Sequence, residues 1–297
     1  MRPRPENRPA LAHTAGMPVP TCPTARPLHG STAPPRRPRR AALAALVLLP
    51  TWASLGAPAQ AQVPQPRVVA VAHGLVNPWG LAFLRDGRML VTERPGRMRI
   101  VGTDGKAGPP LPGLPPVVAE GQGGLLDVAT DPHFAANRLV YWSYSEAGAD
   151  GDSNGTAVAR ARLDGAPGAE RLADVQLVFR QSPKVASKLH FGSRLAFGHD
   201  GRLFITLGDR FSRKDDAQTL DNHLGKVVRV EPDGRLPADN PLVGKPGNPP
   251  GTRLEIWSWG HRNVQGAAIH PATGELWTTE HGPQGGDELN LIKAGAN

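Results

Sequence analysis

Ser193–Asp209 reads SRLAFGHDGRLFITLGD, and this stretch decides the fold. A short apolar strand is followed by Asp-Gly at 200–201 and then by a second strand of alternating apolar residues. An Asp-Gly pair between such strands predicts a hairpin with a type I′ turn, where glycine accepts a positive φ without strain. The same order of strand, turn and strand recurs three times, at Gly80–Arg94 (GLAFLRDGRMLVTER), Gly124–Ser143 (GLLDVATDPHFAANRLVYWS) and Gly266–Gly282 (GAAIHPATGELWTTEHG).

The spacing of these hairpins predicts a β-propeller. The repeats start at 80, 124, 193 and 266 and are therefore 44, 69 and 73 residues apart. The shortest interval equals one propeller blade, and the longer ones indicate loop insertions. A β-sandwich with coincidental hairpins is the alternative, whereas the near absence of helical periodicity after residue 62 excludes an α/β fold. Four blades do not close a ring of the usual size, so the sequence predicts an all-β, C-terminally truncated propeller of about four blades over 62–297.

The first 61 residues differ in composition from the rest. Residues 1–35 are rich in proline and arginine, and we interpret them as a disordered extension. Residues 36–61 carry a basic run, the apolar run AALAALVLL and an Ala-Gln-Ala site at 59–61, which is the order of a signal peptide. The apolar run is too short to span a bilayer. We therefore expect cleavage after Ala61, a periplasmic or secreted protein and no stable membrane insertion.

Charge and cysteine content exclude several classes of function. The 297-residue chain has a net charge of +8, but eight arginines and one acid lie in residues 1–61, so the remainder is almost neutral. A nucleic-acid-binding surface would require basic residues on the folded domain, and none is expected. The only cysteine, Cys22, lies before the domain, which excludes a cysteine nucleophile or Cys-ligated zinc there. The sequence also contains neither a dinucleotide-binding glycine motif nor a Gly-x-Ser-x-Gly elbow.

Four polar clusters lie between the strands, where propellers build their sites. They are EGQGG at 120–124, KLHFG at 188–192, GHRNVQG at 260–266 and EHGPQGGDE at 280–288. Each has an ordinary interpretation by itself: His190 as a surface histidine, Arg262 and Asn263 as loop hydrogen-bonders, and 282–288 as a turn. The last cluster also combines backbone carbonyls with carboxylates, the ligands calcium prefers, without the spacing of an EF-hand loop.

Taken together, these clusters resemble the PQQ-dependent sugar dehydrogenases, which include soluble aldose sugar dehydrogenases and glucose/sorbosone dehydrogenase-like proteins. The resemblance covers about Val68 to Asn297. Seven motifs carry it in order: NPWGLAFLRDGRMLVTER, EGQGGLLDVATDPHF, HFGSRL, LGKVVRVEPDG, ADNP, EIWSWGHRNVQG and EHGPQGGDELNLI. It implies a six-bladed propeller with PQQ and calcium at one mouth of its axis. It also implies oxidation of the C1 hydroxyl of an aldose to a lactone, with electrons passed on to an external acceptor.

The resemblance also implies roles for individual residues. His190 matches the general base that takes the proton of the C1 hydroxyl, and Gln122 matches a residue that contacts the sugar. Arg262 and Asn263 match residues that contact the quinone cofactor. The calcium site corresponds to the carbonyl oxygens of Gly282 and Pro283 and to the acid Asp287.

The chain departs from the family pattern at three places. Leu189 stands where glucose dehydrogenases proper carry an aspartate beside the base, so that orienting carboxylate is missing. Val264 replaces the usual proline of its motif. The family's later blades, which add Lys and Arg partners for the PQQ carboxylates, have no counterpart before residue 297. A calcium-dependent propeller lactonase and a non-catalytic propeller that only binds a partner are the alternatives.

Overall fold

The computed structural model describes residues 66–297 as four antiparallel sheets that follow one another along the chain. The extension and signal peptide predicted for 1–61 lie outside the described residues. Each sheet contains one of the hairpins, which confirms the prediction of an incomplete, four-bladed propeller ring. Helix is nearly absent from the described part: it holds the single turn Phe134–Asn137 (α1) and a 3₁₀ turn at Lys214–Gln218. No helix between 66 and 297 has the length and apolar character to cross a bilayer.

The strands of each sheet are ordered as they occur in the sequence, with the first strand of each sheet packed toward the first strand of the next. The first sheet contains β1 (Pro78–Phe83), β2 (Met89–Glu93), β3 (Arg97–Val101) and β4 (Ala107–Pro110). The second contains β5 (Leu125–Thr130), β6 (Leu139–Ala147), β7 (Asn154–Asp164) and β8 (Arg171–Arg180). The third contains β9 (Gly192–Phe197), β10 (Leu203–Leu207), β11 (Lys226–Val230) and β12 (Ile256–Trp259). The fourth contains β13 (Val264–Ile269), β14 (Leu276–Glu280) and β15 (Glu288–Ile292).

The Asp-Gly turns form as predicted, but their type differs. In the first sheet Gly87 N–H donates to the carbonyl of Leu84 at 3.0 Å, and Leu84 N–H donates to that of Arg88 at 2.8 Å. Gly87 has a φ of 85°, whereas Asp86 does not have a positive φ. This is a three-residue loop that ends on a left-handed glycine, so the predicted type I′ turn is wrong. The Asp86 carboxylate accepts the N–H of Arg88 at 3.1 Å and thereby favours the longer loop.

Apolar residues between neighbouring sheets hold the propeller together. The side chains of Leu90, Met98, Leu125 and Trp142 are fully buried between the first two sheets. A second cluster lies between the second and third sheets, and a smaller one between the third and fourth. Burying one such side chain contributes about 2–3 kcal/mol, so these interfaces dominate the energetics of the fold.

One arginine on the innermost strand of the third sheet contacts all the other sheets. Arg194 Nη1 lies 3.2 Å from Asp127 on β5, and its Nε donates to the carbonyl of Gln265 on β13 at 2.6 Å. Its guanidinium also lies 4.1 Å from the ring centre of Trp79 on β1. Burial raises the pKa of Asp127, although Arg194 and the N–H of Leu195 act in the opposite direction. The four innermost strands are therefore joined by one side chain beside the candidate site.

Candidate functional site

His190 lies in the connection between the second and third sheets, two residues before β9 begins. Its backbone has a φ of 50°, a left-handed conformation that non-glycine residues adopt at a cost of roughly 1–3 kcal/mol. Gly208 makes this conformation possible, because a Cβ at position 208 would lie 2.0 Å from the carbonyl oxygen of His190. The backbone therefore stores strain at the residue that the sequence analysis selects as the base.

A carboxylate holds the imidazole of His190. Asp209 Oδ1 lies 2.7 Å from His190 Nδ1, and both side chains are more than nine-tenths buried. The same oxygen accepts the N–H of Phe211 at 2.7 Å, which fixes the carboxylate. Leu189 supplies no carboxylate, as the sequence indicates, but Asp209 orients the ring from the opposite side of the hairpin. With Nδ1–H donated to Asp209, the second ring nitrogen, Nε2, carries the free lone pair that a base needs.

Arg210 fixes the segment that carries His190. Its guanidinium is fully buried and donates to the carbonyls of Leu189 (3.0 Å) and Ser187, and to Asn154 Oδ1 (2.7 Å). It also lies 3.7 Å from the ring centre of Phe191. Burial lowers the pKa of Arg210 to about 10, so the group remains protonated at neutral pH. The carbonyl oxygens and the aromatic face solvate this cation in place of water.

A small pocket lies beside this segment at the innermost strands. Its volume is about 220 Å³, and it is lined by Trp79, Arg94, Gln122, Leu126, Phe191, Gly192, Asn263, Gln265 and His281. Gln122 Oε1 accepts the backbone N–H of His190 at 2.8 Å, so the sugar-contact candidate and the base are in direct contact. Asn263 Oδ1 accepts the N–H of Gly192 at 3.1 Å. Within residues 66–297 neither side-chain NH2 group donates a hydrogen bond, which leaves both amides available to a ligand.

Arg262 and Asn263 are held by Glu280 at the end of β14. Glu280 Oε1 accepts the backbone N–H of Arg262 and, at 3.0 Å, that of Asn263. Burial alone would raise the pKa of Glu280, but hydrogen bonds from His261 and from these two N–H groups lower it below its usual value. Arg262 Nη1 in turn donates to the carbonyl of His281 at 3.0 Å. The two loops that carry the cofactor and metal candidates are therefore bonded to each other.

The calcium candidates form a tight turn at the same end of the molecule. Asp287 Oδ1 accepts the N–H of Gly282 at 2.9 Å, which brings the carboxylate beside the Gly282-Pro283 backbone. A Cβ on Gly282 would lie 2.2 Å from the carbonyl oxygen of Gly285, so only glycine fits there. Among the described residues no group of three or more His, Cys, Asp or Glu side chains is placed to hold a metal ion. A metal here would therefore depend on carbonyl oxygens and one exposed carboxylate, which is a hard oxygen set of the kind calcium prefers.

Sequence reasoning missed several residues of this site. Asp209 is the most important, and it comes opposite His190 only because a bulge shifts the β9–β10 register between Ile205 and Leu207. Leu207 pairs with Gly192, so the residues two positions beyond each strand end, His190 and Asp209, lie opposite each other. Trp79, Arg94, Gln265 and His281 also line the pocket, and each lies in a motif quoted above in which no role was given to that residue. Their positions follow from the packing of four different strand ends.

The fold and the site define the protein as an incomplete β-propeller with a buried His–Asp pair beside a pocket at its innermost strands. Comparisons with known proteins identify the family. Residues 75–297 match the family model of glucose/sorbosone dehydrogenases, and the chain belongs to that family. It is 46% identical over 224 residues to the aldose sugar dehydrogenase YliI of Escherichia coli, covering 75% of this chain and 58% of that one.

Solved structures agree with this family assignment. The soluble aldose sugar dehydrogenase from Escherichia coli in the apo-form is 44% identical, with a TM-score of 0.72 over 77% of this chain and 64% of that one. The PQQ-bound form of aldose sugar dehydrogenase from Streptomyces coelicolor is 34% identical, with a TM-score of 0.67 over 77% and 64%. The chain thus spans about three fifths of the length of these relatives.

Proposed function

We propose that the protein is a periplasmic or secreted, PQQ-dependent aldose dehydrogenase that oxidises the C1 hydroxyl of a sugar to a lactone. The observation that carries this proposal is the buried His190–Asp209 pair directly beside the pocket lined by Gln122 and Asn263. The family membership and the PQQ-bound relative support the cofactor. An external electron acceptor would complete the cycle.

His190 is the proton acceptor in this proposal. Its Nε2 would take the C1 hydroxyl proton, and Asp209 would hold the imidazolium that forms without being protonated itself. Gln122 would orient a sugar hydroxyl through its free NH2 group while its carbonyl fixes the backbone of His190. When bound, PQQ would supply the acceptor for the two electrons released from C1.

The residues present fit the expected cofactor and metal. PQQ is an anionic, planar molecule, and the residues that line the pocket include the aromatic side chains of Trp79 and Phe191 and the cation of Arg94. Asn263 adds a free amide donor, and Arg262 adds a cation beyond His281. The carbonyls of Gly282 and Pro283, with Asp287, would hold calcium, which acts as a Lewis acid on a carbonyl oxygen.

The test of this function is reconstitution of the purified full-length protein, including whatever sequence follows residue 297 in the gene. We expect dye-linked aldose oxidation only when PQQ and calcium are both added, with the lactone as product. Removal of calcium by a chelator should abolish the activity, and returning calcium should restore it. Hydrolysis of a lactone without PQQ would instead favour a calcium-dependent lactonase, and binding without turnover would favour a non-catalytic propeller.

The His190–Asp209 pair makes a second prediction. In Asp209→Asn the side-chain oxygen can still accept the N–H groups of His190 and Phe211, but the negative charge that stabilises the imidazolium is lost. We expect turnover to fall by a factor on the order of 10² or more, with PQQ affinity within about threefold of wild type. Stopped-flow measurement of PQQ reduction by the sugar would check this. A change below threefold would remove Asp209 from the proposed mechanism.

A further inference from the structure

Glu280 lies at the centre of a buried hydrogen-bond network to which the proposed mechanism assigns no role. The residue is 7% exposed and ends β14, directly before the loop that begins at His281. Its Oε1 accepts two backbone N–H groups, those of Arg262 and Asn263, which belong to the preceding strand connection. One carboxylate oxygen therefore fixes the backbone of both cofactor candidates.

The second oxygen of Glu280 is held from the other side. His261 Nδ1 lies 3.1 Å from Glu280 Oε2, and His261 Nε2 lies 2.8 Å from Ser258 Oγ. Ser258 belongs to β12 of the third sheet, whereas Glu280 belongs to the fourth. The row Ser258–His261–Glu280 thus crosses the interface between two blades and prevents the carboxylate from rotating away from the loop. Both Ser258 and His261 are buried.

Two further bonds join the same loops. Arg262 Nη1 donates to the carbonyl of His281 at 3.0 Å, and the N–H of His281 lies 3.5 Å from the carbonyl of Asn263. The next residue, Gly282, is the first calcium candidate. A displacement of the Glu280 carboxylate would therefore leave only these two bonds between the cofactor loop and the metal loop.

We propose that Glu280 is a positioning residue that binds the Arg262–Asn263 backbone to the His281–Gly282 loop, so that the PQQ and calcium sites form together. This inference rests on the proposed function for its ligands. The fixing of two backbone amide groups by one buried carboxylate oxygen does not depend on the proposed function.

Two substitutions at position 280 separate the effect of side-chain length from the effect of charge. Glu280→Asp keeps the charge but shortens the side chain by one methylene, so that the carboxylate withdraws from both N–H groups. Glu280→Gln keeps the length and one carbonyl oxygen for the same two donors while it removes the charge. Glu275→Gln is the matched control, because Glu275 is exposed and lies directly before the other end of β14.

The first measurement is amide hydrogen exchange of Arg262 and Asn263 in the protein without PQQ. We expect exchange to accelerate at least tenfold in Glu280→Asp and to remain within about threefold of wild type in Glu280→Gln and Glu275→Gln. The second is PQQ affinity in the presence of calcium, followed by the fluorescence of Trp79 and the other tryptophans. We expect Glu280→Asp to weaken PQQ binding about tenfold or more. Glu280→Gln should retain most of the wild-type affinity.

Unchanged exchange and unchanged PQQ affinity in a folded Glu280→Asp would overturn the proposal, as would an equal loss in Glu275→Gln. If Glu280→Asp does not fold, the test rests on Glu280→Gln. A large loss of amide protection at Arg262 and Asn263 in Glu280→Gln would contradict the proposal, because this variant keeps the length of the side chain. If the wild-type protein does not bind PQQ, the proposed function fails, whereas the exchange measurement still tests the role of Glu280.

Discussion

Replacing His190 with alanine is expected to lower sugar turnover by a factor on the order of 10² to 10⁴, the usual contribution of a positioned general base. PQQ and calcium binding should change little, because the cofactor and metal candidates lie on the loops around Arg262 and Gly282. Steady-state kinetics of the reconstituted enzyme, together with titrations of PQQ and calcium, would check both expectations.

His199→Ala provides the control, because His199 is an exposed histidine in the turn between β9 and β10 of the same hairpin. It should leave the rate unchanged. A decrease of less than twofold in His190→Ala would mean that the histidine only supports the loop. In that case the site assignment would be wrong even though the family assignment stands.

Arg210→Met is expected to lower the free energy of unfolding by about 3 kcal/mol. The substitution keeps much of the volume and the contact with Phe191, but it leaves the carbonyls of Leu189 and Ser187 and the amide oxygen of Asn154 without their donor. Each buried acceptor that loses its partner costs roughly 1–3 kcal/mol, and removal of the desolvated cation offsets part of this. Turnover should also fall, because Leu189 and Ser187 precede His190.

Urea denaturation and steady-state kinetics would measure these two effects. Arg213→Met is the matched control: Arg213 lies three residues further along and pairs with Asp216 at the surface, where an ion pair contributes about 0–1 kcal/mol. A stability within 0.5 kcal/mol of wild type in Arg210→Met would show that the buried guanidinium adds nothing beyond its volume.

The four-sheet architecture could be predicted from the sequence because each hairpin carries its own local signal. Alternating apolar residues around an Asp-Gly pair predict two strands and a turn wherever they occur. The turn type could not be predicted, because Asp86 and Gly87 are compatible with both a two-residue and a three-residue loop. The hydrogen bond from Arg88 N–H to Asp86 becomes visible only in the folded hairpin.

The candidate site also contains residues that could be predicted from the sequence and residues that could not. Gln122, His190 and Asn263 could be selected because they lie in motifs that resemble a known family. The structure places Gln122 and Asn263 in one pocket, and the backbone N–H of His190 donates to Gln122. Asp209 follows an ordinary buried strand, and its partner is fixed by a bulge in the β9–β10 register between Ile205 and Leu207. Glu280 looks like one more acid in a polar cluster. Its role depends on N–H groups from a different strand connection, which a linear motif does not specify.

The contacts of Arg194 have a consequence for how the molecule unfolds. Because the single guanidinium of Arg194 contacts Trp79, Asp127 and Gln265 from three other sheets, opening any one blade removes at least one of these contacts. Partly open forms are thereby penalised, and the blades should exchange their innermost amides with one common opening free energy rather than four separate ones. In Arg194→Leu we expect this cooperativity to break down, so that the blades open one after another.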